Sequence, residues 1–121
     1  MSTYTKQLLS QSLSGDAINV SATGSNTTLI HTTLSSSSVL DEVWIYACNS
    51  TSSDLTFKLL YGGTDFTNSI LFNGVLEAYA GSILICPGFM ARGNDSIGFS
   101  IYGNSSSLSG INVFGYVNRI S

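Results

Sequence analysis

The chain has 121 residues, a formal net charge of −3 and four Lys and Arg side chains in total. This length suits one domain, and so few cations cannot supply the phosphate contacts that nucleic-acid binding requires. No run approaches the roughly 20 apolar residues of a membrane-spanning helix. Charged residues make up 9% of the chain, against about 25% in an ordinary globular domain. A soluble protein with so few surface charges tends to associate. Either the chain tolerates this uncharged surface as a monomer, or copies of the chain or partner proteins cover much of it.

The first fifteen residues, MSTYTKQLLSQSLSG, mix flexible polar residues with large apolar side chains. These side chains are Tyr4, Leu8, Leu9 and Leu13. Segment 1–15 either adds an edge strand to its own sheet or forms an arm that reaches onto a neighbour, so all four are candidate partner contacts. The segment has no apolar stretch of the secretory type, which favours synthesis in the cytoplasm.

Residues 16–121 are expected to form the sandwich domain. Runs of β-forming residues recur between clusters of Ser, Gly, Asn and Asp, and no stretch keeps a helical rhythm. The predicted strands along the whole chain are Thr5–Leu9, Ala17–Val20, Thr27–Thr33, Val39–Cys48, Leu55–Tyr61, Ser69–Phe72, Ser82–Cys86, Ser96–Tyr102 and Ile111–Arg119. Strands spaced about 8–12 residues apart with turn residues in every gap indicate an all-β fold. We therefore predict a single antiparallel β-sandwich, jelly-roll-like, with about eight strands and an extended N-terminal segment.

The predicted strand Val39–Cys48 is apolar on both faces from residue 43 onward. This pattern predicts a central strand with the sandwich core on one side and a neighbouring subunit or a long loop on the other. Trp44, in its middle, is expected in the core. The segment Asn49–Asp54 predicts a hairpin or a tight sheet-to-sheet connection, and Gly103–Gly110 predicts a hairpin loop.

Few residues carry reactive chemistry. Cys48 and Cys86 lie in apolar runs, which favours two buried free thiols; a Cys48–Cys86 bridge is the alternative and requires that their two strands face each other. Two cysteines and one histidine are too few for a zinc site. His31 is expected to be structural, because no nucleophile elbow accompanies it. The loop acids and amides suit turn capping better than calcium binding. We therefore predict a chain that is not an enzyme and has neither a cofactor nor a metal site.

The segment PGFMARGND, residues 87–95, places two apolar side chains in a stretch that otherwise has turn chemistry. Phe89 and Met90 either cap the open end of the sandwich or contact a partner. They complete the set of candidate partner contacts.

Residues 43–119 also carry a series of short motifs. A strand ending in ACNSTSSD is followed by a GGT turn, then by PGFMARGNDSI, then by a final strand SGINVFGYV. This series resembles a group of short proteins encoded by tailed bacteriophages, cyanophages among them, which look like small β-sandwich virion proteins. The chain departs from the group at Asn94, which separates Gly93 from Asp95. The resemblance carries over no catalytic residue.

What the resemblance implies is a capsid decoration or cement subunit that binds across capsomers and stabilises the phage head. Its partners would be the major capsid protein or other virion proteins, and it would be located on the capsid surface. Closed symmetry is usual for such oligomers, and a homotrimer on local threefold axes is expected. The alternative is a tail, neck or tail-tip component, including a receptor- or glycan-binding module that would use Tyr61, Tyr79 and Phe66. A small hydrolase would depend on His31.

Overall fold

The computed structural model describes residues 3–121, and this part of the chain contains nine β-strands and no helix. The strands are β1 (Tyr4–Leu8), β2 (Ile18–Val20), β3 (Thr28–Thr32), β4 (Leu40–Asn49), β5 (Leu55–Tyr61), β6 (Ile70–Leu76), β7 (Ile83–Ala91), β8 (Ser100–Ser105) and β9 (Ile111–Ile120). They follow the predicted segments in order, with shifted ends, and the all-β prediction is confirmed. Met1 and Ser2 of the predicted arm lie outside the described residues.

The strands form two antiparallel sheets packed as a sandwich. Sheet A has the order β1-β9-β4-β7, with β2 also paired to β9, and sheet B has the order β3-β8-β5-β6. Strands β2 to β9 thus form two interleaved sets, 2-9-4-7 and 3-8-5-6, which is the arrangement of a jelly roll. Strand β1 is additional to these eight strands. It pairs with residues 116–120 of β9, while β2 pairs with residues 111–113 along the same edge of β9.

Strand β4 shows how the alternation of residues builds the core. Val43, Ile45 and Ala47 are fully buried against sheet B, while the residues between them are half-buried on the other side. β4 lies between β9 and β7, which confirms the predicted central strand. The prediction for Trp44 is wrong, since Trp44 lies on the outer face. When both faces of a strand are apolar, the period of two cannot say which face points inward.

The connections around sheet B correct one predicted hairpin. Asn49–Asp54 joins β4 in sheet A to β5 in sheet B, so it is the sheet-to-sheet connection. The hairpin predicted at Gly103–Gly110 is wrong, because β8 and β9 belong to different sheets. Both edges of β8 are already taken, one by β3 and the other by β5. β9 must therefore cross to sheet A.

Strand β7 continues through residues that were predicted to be a loop. Trp44 pairs with Pro87 and Val43 pairs with Phe89, so Gly88 is the extra residue of a bulge, with a φ of 82°. Proline is tolerated here because β7 is an edge strand that needs no second ladder. Phe89 and Met90 are consequently strand residues with exposed side chains.

Gly115 marks the closest approach of β9 to β4. A Cβ at this position would clash with the backbone oxygen of Trp44. We expect Gly115→Ala to lower the free energy of unfolding by about 3 kcal/mol, because backbone rather than a flexible side chain must move. Chemical denaturation measures this change. Gly81→Ala is the control, since a Cβ there meets nothing within 4 Å; equal unfolding free energies for the two variants would contradict the close approach.

Candidate functional site

A buried polar network lies inside the sandwich around His31, whose side chain is fully buried. His31 Nε2 lies 2.8 Å from Asp41 Oδ2, and His31 Nδ1 accepts the backbone N–H of Ser10 at 2.9 Å. Because Nδ1 accepts a hydrogen bond, the proton belongs on Nε2, which donates to Asp41. Both ring nitrogens are thus occupied by a carboxylate and a backbone donor. This arrangement positions the chain and leaves His31 without a hydroxyl to activate.

Asp41 connects the histidine to sheet A. Arg119 Nε donates to Asp41 Oδ1 at 2.8 Å, and Arg119 Nη2 donates to Asp41 Oδ2 at 3.1 Å. Burial raises the pKa of the Asp41 carboxyl, but the hydrogen bonds from His31 and Arg119, together with the charge of Arg119, lower that pKa below its usual range. The network joins β3 of sheet B to β4 and β9 of sheet A. Through Ser10 it also holds the segment that follows β1.

The loop acids cap turns. Asp65 Oδ1 accepts the backbone N–H of Thr67 at 2.8 Å, and Asp95 Oδ1 accepts that of Ser37 at 2.9 Å. These hydrogen bonds lower the pKa of both carboxyl groups. Within residues 3–121 there is no group of three His, Cys, Asp or Glu side chains that could hold a metal ion.

The two cysteines are free thiols, as predicted. Cys86 is buried, and burial raises the pKa of its thiol. Cys86 pairs with Ile45 on the core side of sheet A. Cys48, an odd number of residues further along β4, lies half-buried on the opposite side. Facing away from each other across one sheet, the two thiols cannot form a bridge within the chain.

The outer face of sheet A is largely apolar although it faces solvent. Residues directly opposite each other in antiparallel strands lie on the same face, so the strand registers define which side chains share it. We use "outer face" for this set: Tyr4, Lys6, Leu8, Asn19, Leu40, Glu42, Trp44, Tyr46, Cys48, Leu84, Pro87, Met90, Asn112, Phe114, Tyr116, Asn118 and Ile120. Lys6 and Glu42 are its charged members.

A stack of side chains crosses the middle of the outer face. The rings of Trp44 and Tyr116 are 6.3 Å apart between centroids and 15° from parallel. On the β1 side, Lys6 Nζ lies 4.5 Å from the Tyr116 centroid. On the β7 side, a Cβ added to Gly88 would lie 2.8 Å from Trp44 Cζ2, so the indole rests on bare backbone. The ring faces are covered by these neighbours, which leaves no open platform for stacking a sugar on this pair.

Glu42 holds the stack in place. Its Oε1 accepts a hydrogen bond from Trp44 Nε1 at 2.8 Å and another from Asn118 Nδ2 at 2.9 Å. These two bonds, that of Asn118 first, lower the pKa of Glu42. The polar atoms at the centre of the face are therefore satisfied within the chain.

Exposed apolar side chains surround this centre. Tyr4 and Leu8 lie on the β1 side, Leu84 and Met90 lie on the β7 side, and Phe114, 38% exposed, lies beside the stack. Exposed apolar side chains grouped on one sheet face are typical of interaction surfaces.

The outer side of sheet B is mixed. There Lys58 pairs with Asn104 and Asn73, and Thr56 pairs with Val75, whereas Leu60 pairs with Tyr102 and Ile70. Charged, polar and apolar side chains therefore share the outer side of sheet B.

The candidate partner contacts fall in three environments. Tyr4, Leu8 and Met90 lie on the outer face. Phe89, paired with Val43, lies at the exposed edge formed by β7, and Leu13 is exposed after β1.

Leu9 is 1% exposed and belongs to the core, so it contacts its own domain rather than a partner. Sequence reasoning missed the centre of the surface, Trp44 and Tyr116. The alternation of aromatic and polar residues in β9 was the signal available, but it does not say which strand lies beside β9.

The comparisons with known proteins give weak similarity. No protein-family model matches this chain, and no curated protein matches it significantly. Among solved structures, a chain in "Structure of infectious bursal disease virus Gt strain" aligns with a TM-score of 0.48 and 12% sequence identity over 98% of this chain. This chain spans 33% of the length of that chain. None of the residues described here forms a helix long and apolar enough to cross a membrane.

Asp41 is the residue through which the buried network can be tested. We expect Asp41→Asn to lower the free energy of unfolding by about 3 kcal/mol at neutral pH, because Arg119 loses its charged partner and His31 its acceptor. Chemical denaturation measures the loss. Glu77→Gln, an exposed carboxylate between strands, is the control and is expected to change stability by less than about 0.5 kcal/mol.

The same variant has a pH dependence with a defined sign. The pKa of Asp41 is lower in the folded chain than the ordinary value, so its stabilisation is fully present above about pH 4 and is lost as the pH falls further. The difference in unfolding free energy between the natural chain and Asp41→Asn should therefore shrink below about pH 4. If the difference in unfolding free energy stayed constant as the pH falls below about 4, this would contradict an ionised Asp41 paired with Arg119.

Proposed function

We propose that this chain is a non-enzymatic virion structural protein of a tailed bacteriophage, a capsid decoration or cement subunit that binds across capsomers and stabilises the head. The observation that carries this proposal is the outer face of sheet A, an apolar surface on a rigid sheet whose central polar atoms are already hydrogen-bonded. Such a surface can be buried without leaving polar groups unpaired.

Charge supports the proposal from a second direction. The face carries Lys6 and Glu42 as its charged residues, so little desolvation of charge opposes its burial. Stabilisation of the head then follows from mass action. Copies that bind the assembled shell and not its dissociated parts favour the assembled state.

The proposal includes the setting implied by the motifs in residues 43–119. The chain would be made in the host cytoplasm and would join the surface of the head, with the major capsid protein or other virion proteins as partners. A place in the neck or tail is the alternative, since a structural subunit there would also bury an apolar sheet face. The glycan-binding form of that alternative is less favoured, because Tyr61 packs edge-on against Phe99 and Phe66 lies beside Lys58, which leaves Tyr79 as the exposed ring among the three expected ones.

Copy number separates the head from the tail. Quantitative mass spectrometry of purified source particles is expected to find this chain in numbers comparable with the major shell protein or about a third of them, as decoration of every capsomer requires. A few copies per particle would move the chain to the neck or tail. Its absence from particles would overturn the virion proposal.

The role of the outer face is tested by adding a charge to it. We expect Met90→Asp, a change on the β7 side of the outer face, to reduce the amount of chain that binds to undecorated heads by about tenfold or more, because a carboxylate must be desolvated in the contact. Co-sedimentation with heads measures the bound fraction. Val75→Asp is the matched control, an exposed apolar residue on the outer side of sheet B. Equal binding of the two variants, both folded by circular dichroism, would exclude the outer face as the contact.

A further inference from the structure

We infer that a second copy of this chain covers the part of the outer face that lies on β1, β9 and β4, and that a two-fold axis along β9 relates the two copies. Its setting on a phage head rests on the proposed function: the β7 side of the outer face, with Leu84 and Met90, stays exposed for the shell, and two paired copies would clasp neighbouring capsomers. The pairing itself is a property of the purified chain.

One row of the outer face runs across β1, β9 and β4 and contains both of its charged residues, and this row makes the face complementary to itself. Lys6 of β1 pairs with Asn118 of β9, which pairs with Glu42 of β4. A two-fold axis parallel to β9 and above it exchanges the positions of β1 and β4. Lys6 of one copy then lies over Glu42 of the other, and this contact occurs twice in the dimer. Asn118 of one copy lies over Asn118 of the other. The hydrogen bonds found within the chain use Oε1 of Glu42, which leaves Oε2 to receive the ammonium group.

The neighbouring rows match under the same operation. Leu8, Tyr116 and Trp44 form one row, so Leu8 of one copy lies over Trp44 of the other and Tyr116 meets Tyr116. Phe114, also on β9, meets Phe114 of the second copy. Apolar side chains thus face apolar side chains, and charges face opposite charges.

The position of the axis follows from charge. An axis midway between β9 and β4 would instead place β1 over β7, so that Lys6 would lie over Met90, its counterpart in the row of Glu42. This would bury an ammonium group against an apolar side chain without a counterion, which is costly. The axis along β9 avoids that cost.

Strand β1 gains the packing that it lacks in the single chain. All five of its residues are exposed, and it is attached through its ladder with β9 and through Lys6 over Tyr116. An edge strand with an apolar side and no cover is prone to associate. In the inferred dimer, Tyr4 and Leu8 would be covered by β4 of the second copy.

The overlap of the two copies is small. The axis along β9 overlaps three strand positions and leaves β7 outside; at about 4.8 Å per strand and about 3.3 Å per residue along the ten residues of β9, this is a planar area of roughly 480 Å². A standard-size interface buries about 800 Å² of accessible surface on each partner, so we expect a dimer weaker than complexes of that class. A two-fold interface closes on itself, so association ends at two copies.

Sedimentation velocity of the full chain over a range of concentrations tests the pairing. We expect a dimer that Phe114→Asp converts to a monomer, because it places two carboxylates together on the axis. We expect Lys6→Glu to raise the dissociation constant by about tenfold, with less effect at high salt, since it faces Glu42. The matched controls, Val75→Asp and Lys58→Glu, change the outer side of sheet B, where Lys58 also lies over an aromatic ring, and should leave the dimer intact.

Zero-length carbodiimide cross-linking tests the symmetry. The expected product in the dimer band is the peptide pair joined through Lys6 and Glu42. A dimer that lacks this cross-link, a trimer, or a chain that stays monomeric at every concentration would overturn the inference. A monomeric chain that still decorates heads in high copy number would overturn the dimer and leave the proposed function standing. A dimer that is absent from particles would overturn the proposed function and leave the dimer standing.

Discussion

The inward and outward faces of sheet A depend on how β4 pairs with β9, and the Asp41–Arg119 ion pair forms across this ladder. The two residues stand opposite each other in the ladder, with Arg119 Nε 2.8 Å from Asp41 Oδ1. A slip of one residue would turn the carboxylate outward, away from His31, and would turn Trp44 into the core. Because a buried carboxylate without its partners is costly, the inward and outward faces of both strands are set together.

The same register assembles the outer face. With Asp41 opposite Arg119, Glu42 lies opposite Asn118 and Trp44 opposite Tyr116, and their contacts satisfy the polar atoms that would otherwise oppose burial. The network below the sheet is therefore linked to the surface above it. His31 extends the link to the N-terminal segment through Ser10, which anchors the chain directly after β1, and β1 supplies Lys6 to the stack.

Local signals were sufficient to locate the strands, since turn residues and β-forming runs act over a few positions. They failed where a competing interaction was distant. Pro87 and Gly88 look like a turn, yet β7 continues through them as a bulge because β4 offers the pairing edge. The stretch from β8 to β9 looks like a hairpin, yet β3 and β5 occupy both edges of β8. Trp44 looks like a core residue, yet the charged Asp41 takes the inward face together with Val43.

The amino-acid sequence by itself determined the fold class, the approximate strand positions and the low charge of the surface, because period and composition are local or additive properties. Only the tertiary structure decided which apolar face stays outside, that Leu9 is core while Leu8 is surface, and that Lys6 lies over Tyr116. Those outcomes depend on pairing between residues far apart in the chain. The order of strands in a sheet results from competition among all available edges, which no single segment records.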